Sequence, residues 1–166
     1  SRTMVIQDEK ERQTRIVSQR FASMANPHLA AMTYEITPLS YSAHFTFQTG
    51  INGAIINDGV VRYRQLNQQH LKPVKTGSSG KIAYILVETT QSANKIAEAF
   101  KLNVSLNGIN VNPDSFYVEN PGEIYSRFTL EAKEKQPIKI EKIFSVFTSK
   151  PWDTLDPLKT SVTELE

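Results

Sequence analysis

The sequence has no cysteine in its 166 residues, which excludes disulfides, thiolate zinc sites and iron–sulfur clusters. It has only three histidines, and these lie far apart, without the spacing of metal ligands: His28, His44 and His70. We therefore predict no metal site. Apolar runs long enough for a membrane span are missing, as is a recognisable signal peptide. A chain without cysteine favours a reducing compartment, so we expect a cytoplasmic protein, although some secreted proteins also lack cysteine.

The charge has no strong excess of either sign. Nineteen basic residues stand against seventeen acidic ones, for a net charge of +2. No basic stripe stands out, so the balance argues against a nucleic-acid partner. The glycine- and serine-rich residues 76–80 (TGSSG) lack the Gly-Lys-Ser/Thr ending of a phosphate loop. We predict no cofactor and find no catalytic constellation. The strand carboxylates Glu35 and Glu88 are a weak acid–base candidate, because nothing in the sequence brings them together.

The chain itself is typical of one globular domain with a sizeable core. Hydrophobic residues make up 39% and charged residues 22%. Apolar residues alternate with polar ones in several short segments, which is the period of a strand with one buried face. The clearest segments are Ala30, Met32, Tyr34 and Ile36; then Tyr41, Ala43, Phe45 and Phe47; and then Ile124, Ser126, Phe128, Leu130 and Ala132. Together with turn signals, they predict an all-β antiparallel sandwich.

Several short segments carry local structural signals. We expect turns at Asp58-Gly59 and Asn107-Gly108, because glycine tolerates positive φ. Residues 81–87 read as a central strand, and residues 76–80 as a flexible loop. Residues 92–106 fit either a short helix or a strand. After Ile140 the apolar positions shift by one, to Ile143 and Val146, which indicates a bulge. Residues 14–24 should form a strand with Val17 and Phe21 as its apolar members, and residues 156–166 a short helix.

Three stretches resemble one enzyme family. Residues 20–38 (RFASMANPHLAAMTYEITP) are close to the pattern R-F-x-S-M-x-D-P-H-L-A-A-x-x-Y-x-I-T-P, with Asn26 where aspartate is usual. Residues 57–71 (NDGVVRYRQLNQQHL) are similar to N-x-G-V-x-R-Y-R-x-L-x-x-x-H-L. Residues 141–150 (EKIFSVFTSK) resemble the strand that closes the same domain. These patterns belong to the N-terminal domain of glycoside hydrolase family 65, which includes maltose, trehalose and kojibiose phosphorylases and related hydrolases.

The resemblance implies a large antiparallel super-sandwich of the galactose mutarotase-like kind. It implies a partial N-terminal domain in residues 1–150 and an exit segment in residues 151–166, which leads to an (α/α)₆ catalytic domain outside this chain. The opening Ser-Arg-Thr-Met, without an initiator methionine, agrees with a fragment that begins partway through the domain. The family's catalytic glutamate belongs to the barrel, so no catalytic residue is carried over to this chain.

The resemblance also implies an inverting reaction on α-glucosidic disaccharides such as maltose or trehalose. A general acid protonates the glycosidic oxygen, while phosphate or an activated water attacks the opposite face. Inorganic phosphate would be the co-substrate of a phosphorylase. The partners of this chain would then be its own catalytic domain and the disaccharide substrate of the parent enzyme.

Two groups of residues are candidate sites. Arg62, Tyr63, Arg64 and His70 would form a polar platform at the substrate entrance or domain interface, or alternatively a solvated hairpin. Asn26, Pro27 and His28 read as a structural corner between strands, in which the His28 ring binds backbone rather than a sugar or a partner. The lone Trp152 reads as packing of the exit segment rather than as a sugar platform.

We therefore expect a non-catalytic fragment that braces the barrel and shapes the substrate entrance. Two alternatives remain at this point: a free-standing carbohydrate-binding sandwich, and a structural assembly module. Fold alone cannot separate these. A truncated sandwich would also expose an apolar face or strand edge, so we expect a homodimer.

Overall fold

The computed structural model describes residues 1–56, 59, 69–114, 116–150 and 153–166. Almost all regular structure in these ranges is β. The strands are β1 (Arg2–Gln7), β2 (Gln13–Ala22), β3 (Leu29–Pro38), β4 (Ala43–Asn52), β5 (Leu71–Ser79), β6 (Ile82–Thr89), β7 (Lys95–Leu106), β8 (Ile109–Val111), β9 (Phe116–Asn120), β10 (Glu123–Ala132) and β11 (Ile138–Thr148). The helix α1 spans Pro157–Thr163. With seven residues it is short, and no described helix has the length and apolarity needed to cross a membrane.

The strands form two sheets. The larger follows the order β1-β2-β3-β11-β7-β6-β5, with β8 paired to β7, and the smaller follows β4-β10-β9. Neighbours along the chain pair antiparallel in the hairpins β1–β2, β2–β3, β5–β6, β6–β7 and β7–β8. The predicted fold class, an all-β antiparallel super-sandwich with a short C-terminal helix, is confirmed.

The chain divides into two compact units. The first contains Ser1–Gln48, Lys101–Phe116 and Ser126–Phe144. Its core places Phe47 of β4 and Phe128 of β10, with ring centroids 5.3 Å apart, against Ile138 and Ile140 of β11. The smaller sheet thus covers the larger one inside this unit. The predicted alternation in β4 and β10 is confirmed, since Phe47, Ile124, Ser126 and Phe128 are all buried.

The second unit contains Thr49–Phe100, Tyr117–Tyr125 and Ser145–Glu166. Its central strand is β6, as predicted, and the face that carries Ala83, Ile85 and Val87 is buried, while Tyr84, Leu86 and Glu88 on the other face are half-buried. The exit segment packs here. Asp156 caps α1 by accepting from the Lys159 N–H at 3.0 Å, and α1 contacts β6.

The inner face of α1 joins β11 through two serines. The Ser145 and Ser161 hydroxyls lie 2.7 Å apart, and both residues are fully buried. Leu165 follows α1 and is only 2% exposed. Residues 153–166 therefore pack onto the second unit rather than projecting from it.

Some local predictions are confirmed. Asn107 and Gly108 have φ of 51° and 79° in the turn between β7 and β8, which is the geometry of a two-residue hairpin turn. Residues 92–106 were left open between helix and strand, and residues 95–106 of this segment form β7, which pairs with β6. The sheet neighbours override the helical spacing of Ile96, Ala97 and Phe100.

One other local prediction is wrong, one is right only in part, and one concerns residues that are not described. Residues 76–79 belong to β5 instead of a loop, and only Gly80 lies at the turn. The glycine at position 77 serves packing, since a Cβ there would lie 2.8 Å from the Tyr84 hydroxyl. In β11 the phase of burial does shift, but the buried residues after Lys142 are Ser145 and Phe147 rather than Ile143 and Val146. The turn predicted at Asp58-Gly59 depends on residues 57 and 58, which lie outside the described residues.

Candidate functional site

The loop between β2 and β3, residues 23–28, is held by Asn26. Its N–H donates to Ser23 Oγ at 3.0 Å, and its side-chain Oδ1 accepts from the His28 N–H at 2.9 Å. The Asn26 carbonyl also accepts from the Leu29 N–H at 3.2 Å. A side-chain oxygen that binds the N–H two residues later is the Asx turn. Aspartate has the same oxygen, so the asparagine at this position keeps the acceptor that the family pattern supplies.

Asn26 thus holds the backbone of the loop through these hydrogen bonds. Pro27 is exposed and His28 half-buried, and the His28 N–H is bound by Asn26 as described. The interpretation of residues 26–28 as a purely structural corner, without a role in partner contact, stays a prediction.

An apolar groove, here called the motif groove, begins beside this loop. It is lined by Arg20, Phe21, Ala22, Ala31, Met32 and Phe144. The register of the β2–β3 hairpin places Arg20 opposite Met32 and Phe21 opposite Ala31. Phe21 is 63% exposed and the nearby Met24 is 99% exposed. Phe21, predicted as an apolar member of this strand, therefore lies on β2 with its side chain at the surface. The available signal was the alanines at positions 22 and 31, small side chains that line the groove with Phe21.

The predicted platform falls mainly outside the described residues. Arg62, Tyr63 and Arg64 belong to residues 60–68, whose structure is not described. His70 is exposed and directly precedes β5. Its carbonyl accepts from the Thr90 N–H at 3.0 Å. The backbone of His70 is thus fixed at the end of the β5–β6 ladder, while its side chain faces solvent.

The two strand carboxylates have basic neighbours. Glu35 Oε1 lies 3.7 Å from Arg15 Nη2 on β2. Glu88 lies opposite Lys72 in one ladder and opposite Lys95 in the next. Cross-strand pairs of this kind stabilise sheets, so each carboxylate has an ordinary structural setting. Among the described residues, no three His, Asp or Glu side chains lie close enough to hold a metal ion.

A polar cluster closes the turn between β1 and β2. Asp8 Oδ2 accepts from Arg12 Nε at 2.8 Å and lies 2.6 Å from Arg12 Nη2. The Arg12 guanidinium lies 5.0 Å from the centre of the Tyr41 ring, and the Tyr41 hydroxyl bonds Thr14 Oγ1 at 2.6 Å. The hydrogen bond from Arg12 lowers the pKa of Asp8, and Asp8 in turn raises the pKa of Arg12. Because these groups satisfy one another, the cluster stabilises the turn.

Comparison with known proteins identifies the family to which these features correspond. The family model described as "Glycosyl hydrolase family 65, N-terminal domain" matches residues 1–166. A kojibiose phosphorylase from Halothermothrix orenii is 29% identical over 160 residues, covering 92% of this chain and 20% of that protein. An uncharacterised glycosyl hydrolase from Mycobacterium tuberculosis is 30% identical over 157 residues, covering 93% of this chain and 12% of that protein.

A solved structure has the same fold. It is described as "Putative kojibiose phosphorylase from human microbiome", and it superposes with a TM-score of 0.79 at 13% identity. The match covers 98% of this chain and 20% of that chain. The chain thus spans a fifth or less of the length of each of these three relatives.

Proposed function

The chain belongs to the N-terminal domain family of glycosyl hydrolase family 65, and from this membership we propose that it is the non-catalytic sandwich domain of a larger enzyme. One observation carries the proposal: a match along the whole chain to an N-terminal domain, which covers only 20% of a full-length relative. The remaining four-fifths of such a relative has room for a catalytic domain. We place that domain after the exit segment, residues 151–166, as an (α/α)₆ barrel.

The proposed parent enzyme cleaves an α-glucosidic disaccharide. The name of the Halothermothrix orenii relative supports phosphorolysis of kojibiose, whereas that of the mycobacterial relative states only glycosyl hydrolysis. Phosphate would be the co-substrate of a phosphorylase, and water would be the co-substrate of a hydrolase. The proposed location is the cytoplasm, where phosphate and reduced conditions are both available.

We propose that the motif groove braces the catalytic domain. Its lining comes from the two strands of residues 20–38, the stretch closest to the family pattern, and from Phe144. Phe21 in the groove is 63% exposed, and Met24 in the loop that follows β2 is 99% exposed. Large apolar side chains with this much exposure are typical of a surface that another protein body covers. Burying the groove would remove this apolar area from water without changing the fold of the sandwich.

The proposed substrate entrance lies in residues 60–71. Its candidate groups are Arg62, Tyr63, Arg64 and His70, which offer donors to sugar hydroxyls or to phosphate. The exposed side chain and fixed backbone of His70 support this part of the proposal. The four residues would guide substrate and leave bond cleavage to the barrel.

Expression of the complete reading frame tests the parent enzyme. We expect the sequence beyond Glu166 to encode a helical barrel with a glutamate general acid, and the full protein to form glucose 1-phosphate or free glucose from kojibiose, maltose or trehalose. A reading frame that ends near Glu166 would overturn the proposal. Calorimetric titration of the isolated chain with millimolar sugar tests the main alternative, since saturable heat would support a free-standing carbohydrate-binding sandwich.

The entrance is tested in the full protein by Arg62→Ala, Arg64→Ala and His70→Ala. We expect KM for disaccharide or phosphate to rise with kcat nearly unchanged, because groups that only bind substrate act equally on ground and transition states. Gln69→Ala is the matched control, as Gln69 is exposed and adjacent to His70. Unchanged KM in all three variants would remove the entrance from the proposal.

A further inference from the structure

The start of the exit segment is bound to the end of a sheet strand. Asp153 Oδ2 accepts hydrogen bonds from the N–H and from the hydroxyl of Thr148, at 2.5 and 2.8 Å. Thr148 is the last residue of β11. Hydrogen bonds to a carboxylate are about twice as strong as those between neutral groups. The segment is therefore held to the sheet at Asp153, before α1 begins.

The middle of the segment is α1, which two serines join to β11. The Ser145 hydroxyl donates to the Ser161 carbonyl at 2.7 Å, and the Ser161 hydroxyl lies 3.3 Å from the Ser145 carbonyl. Both residues are fully buried, so water does not compete for these bonds. Serine is also small enough to let a helix approach a strand closely. These reciprocal bonds fix α1 against the second unit.

The end of the segment has an apolar contact. Leu165 is 2% exposed, whereas Leu155 in the same segment is 103% exposed. Burial of a leucine is a large favourable contribution to folding. The segment is thus held at its start, in its middle and at its end, and residues 153–165 are here called the exit lock.

The exit lock and the candidate entrance residue His70 belong to the same compact unit. The helix α1 contacts β6, and β6 pairs with β5. His70 directly precedes β5, and its carbonyl accepts from the Thr90 N–H at 3.0 Å at the end of this ladder. The backbone of His70 and the exit of the chain at residue 165 are therefore connected through paired strands and a packed helix.

We propose that Asp153, Ser161 and Leu165 are positioning residues, which fix the start of the catalytic domain relative to His70. The inference rests on the proposed function, in which the barrel follows the exit segment and His70 lies at the substrate entrance. A flexible connection would let two domains move relative to each other. A chain held in place as far as residue 165 leaves the sandwich at one fixed point. Fixed placement matters, because small displacements of groups that position a substrate are costly.

Trypsin cleavage after Lys159 measures the opening of the exit lock in the full protein. Lys159 lies within α1, and a protease requires an extended segment, so cleavage there needs local unfolding of the helix. Lys150 is followed by Pro151, a bond that trypsin does not cleave. Mass spectrometry identifies the product of cleavage between Lys159 and Thr160.

Leu165→Ala should be cleaved at this bond at least about tenfold faster than wild type, because removing a buried leucine side chain favours the open segment. Leu155→Ala is the matched control, with the same change at an exposed position of the same segment, and it should be cleaved at the wild-type rate. Asp153→Ala should also be cleaved faster. This second variant opens the lock from its other end and leaves the buried leucine in place.

Kinetics of the full protein test the positioning role. Leu165→Ala should raise KM for the disaccharide at least about threefold with kcat nearly unchanged, because the entrance is displaced while the groups of the barrel remain intact. Leu165→Met keeps an apolar side chain of similar volume and should stay near wild type. The double variant Leu165→Ala/His70→Ala should have a KM no higher than the larger of the two single values, since both changes remove the same contact.

The outcomes separate the lock from the parent enzyme. Equal cleavage of Leu165→Ala, Asp153→Ala and Leu155→Ala would overturn the lock. Faster cleavage with an unchanged KM would overturn the positioning role, as would KM increases that multiply in the double variant, and either result would leave an active parent enzyme in place. An inactive wild-type full protein would instead overturn the proposed function, together with the role of the lock at its entrance.

Discussion

At the scale of single residues, Asn26 shows how a departure from a family pattern can leave the geometry intact. Its side-chain oxygen holds the His28 N–H, and aspartate would do the same. Asn26→Ala should lower the free energy of unfolding by about 1 kcal/mol, because the N–H loses its partner inside a tight loop. Asn26→Asp should stay within about 0.5 kcal/mol of wild type. Urea unfolding measures both, and equal losses in the two variants would contradict the role given to the side-chain oxygen.

Tyr117 gives a second prediction at this scale. Its hydroxyl donates to the Lys81 carbonyl at 2.8 Å, and burial raises its pKa. Tyr117→Phe should cost about 0.5–1.5 kcal/mol, the usual net value of one hydrogen bond. Because the pKa is raised in the folded state, the contribution is complete below the unfolded pKa of about 10 and is lost as pH rises through the folded value. Unfolding curves from pH 8 to 11 should therefore converge for the two proteins, and a constant difference would contradict the assignment.

At the scale of elements, the sandwich depends on a few aromatic contacts between sheets. Phe128 is 3% exposed and stacks on Phe47 in the core of the first unit. Phe128→Ala should destabilise the chain by about 3–5 kcal/mol through lost burial and the cavity left behind. Phe21→Ala removes the same ring from an exposed position and should cost less than about 1 kcal/mol. Thermal unfolding of the two variants would contradict this account if their losses were similar.

The β1–β2 turn adds a pH dependence. Arg12 lowers the pKa of Asp8, so this stabilisation is present above the unfolded pKa and is lost as pH falls through the folded value. Asp8→Asn should therefore flatten the decline in stability between pH 5 and pH 2 relative to wild type, where these limits bracket an unfolded pKa of about 3.9. Asp114→Asn, at an exposed position outside the turn, is the matched control. If both variants followed the wild-type curve, the turn would have no part in acid unfolding.

Period-two alternation was enough to predict the elements in which one face is buried, such as β4 and β10. Sequence patterns were not sufficient where the contacts of a residue depend on another part of the chain. Gly77 was predicted to lie in a loop, but it lies in β5. A glycine is needed there because the Tyr84 hydroxyl occupies the space that a side chain would fill. Phe21 was predicted only as an apolar member of its strand, and the groove that it lines with Ala22 and Ala31 was not predicted. Such cases depend on residues distant in sequence, which a local pattern cannot include.

At the scale of the whole molecule, the family was predictable from residues 20–38 and 57–71, and the match over residues 1–166 confirms it. The same stretches yield only part of the candidate site. A corner at Asn26 could be predicted from the Asn-Pro-His sequence. The motif groove could not, because it forms only when β2 pairs with β3. The predicted entrance around Arg62, Tyr63 and Arg64 lies outside the described residues, so its test remains kinetic.

The proposed contact between the motif groove and the catalytic domain can be tested with a charge at Phe21. Phe21→Glu should leave the unfolding of the isolated chain within about 1 kcal/mol of wild type, because the ring is already 63% exposed. In the full protein the same change should lower the thermal midpoint and activity, since a charge would be buried against the catalytic domain. An exposed control such as Phe116→Glu, at 57% exposure, should have little effect on the full protein. If Phe21→Glu and Phe116→Glu were equally harmless there, another surface would brace the barrel.

The central claim is that this chain is a non-catalytic domain of a family 65 enzyme. The most direct measurement is an assay of the purified 166-residue chain beside the product of the complete reading frame, with kojibiose, maltose and trehalose, in the presence and absence of phosphate. We expect turnover by the full-length protein and none by the 166-residue chain alone. Turnover by the chain alone, at a rate that follows its concentration, would contradict it.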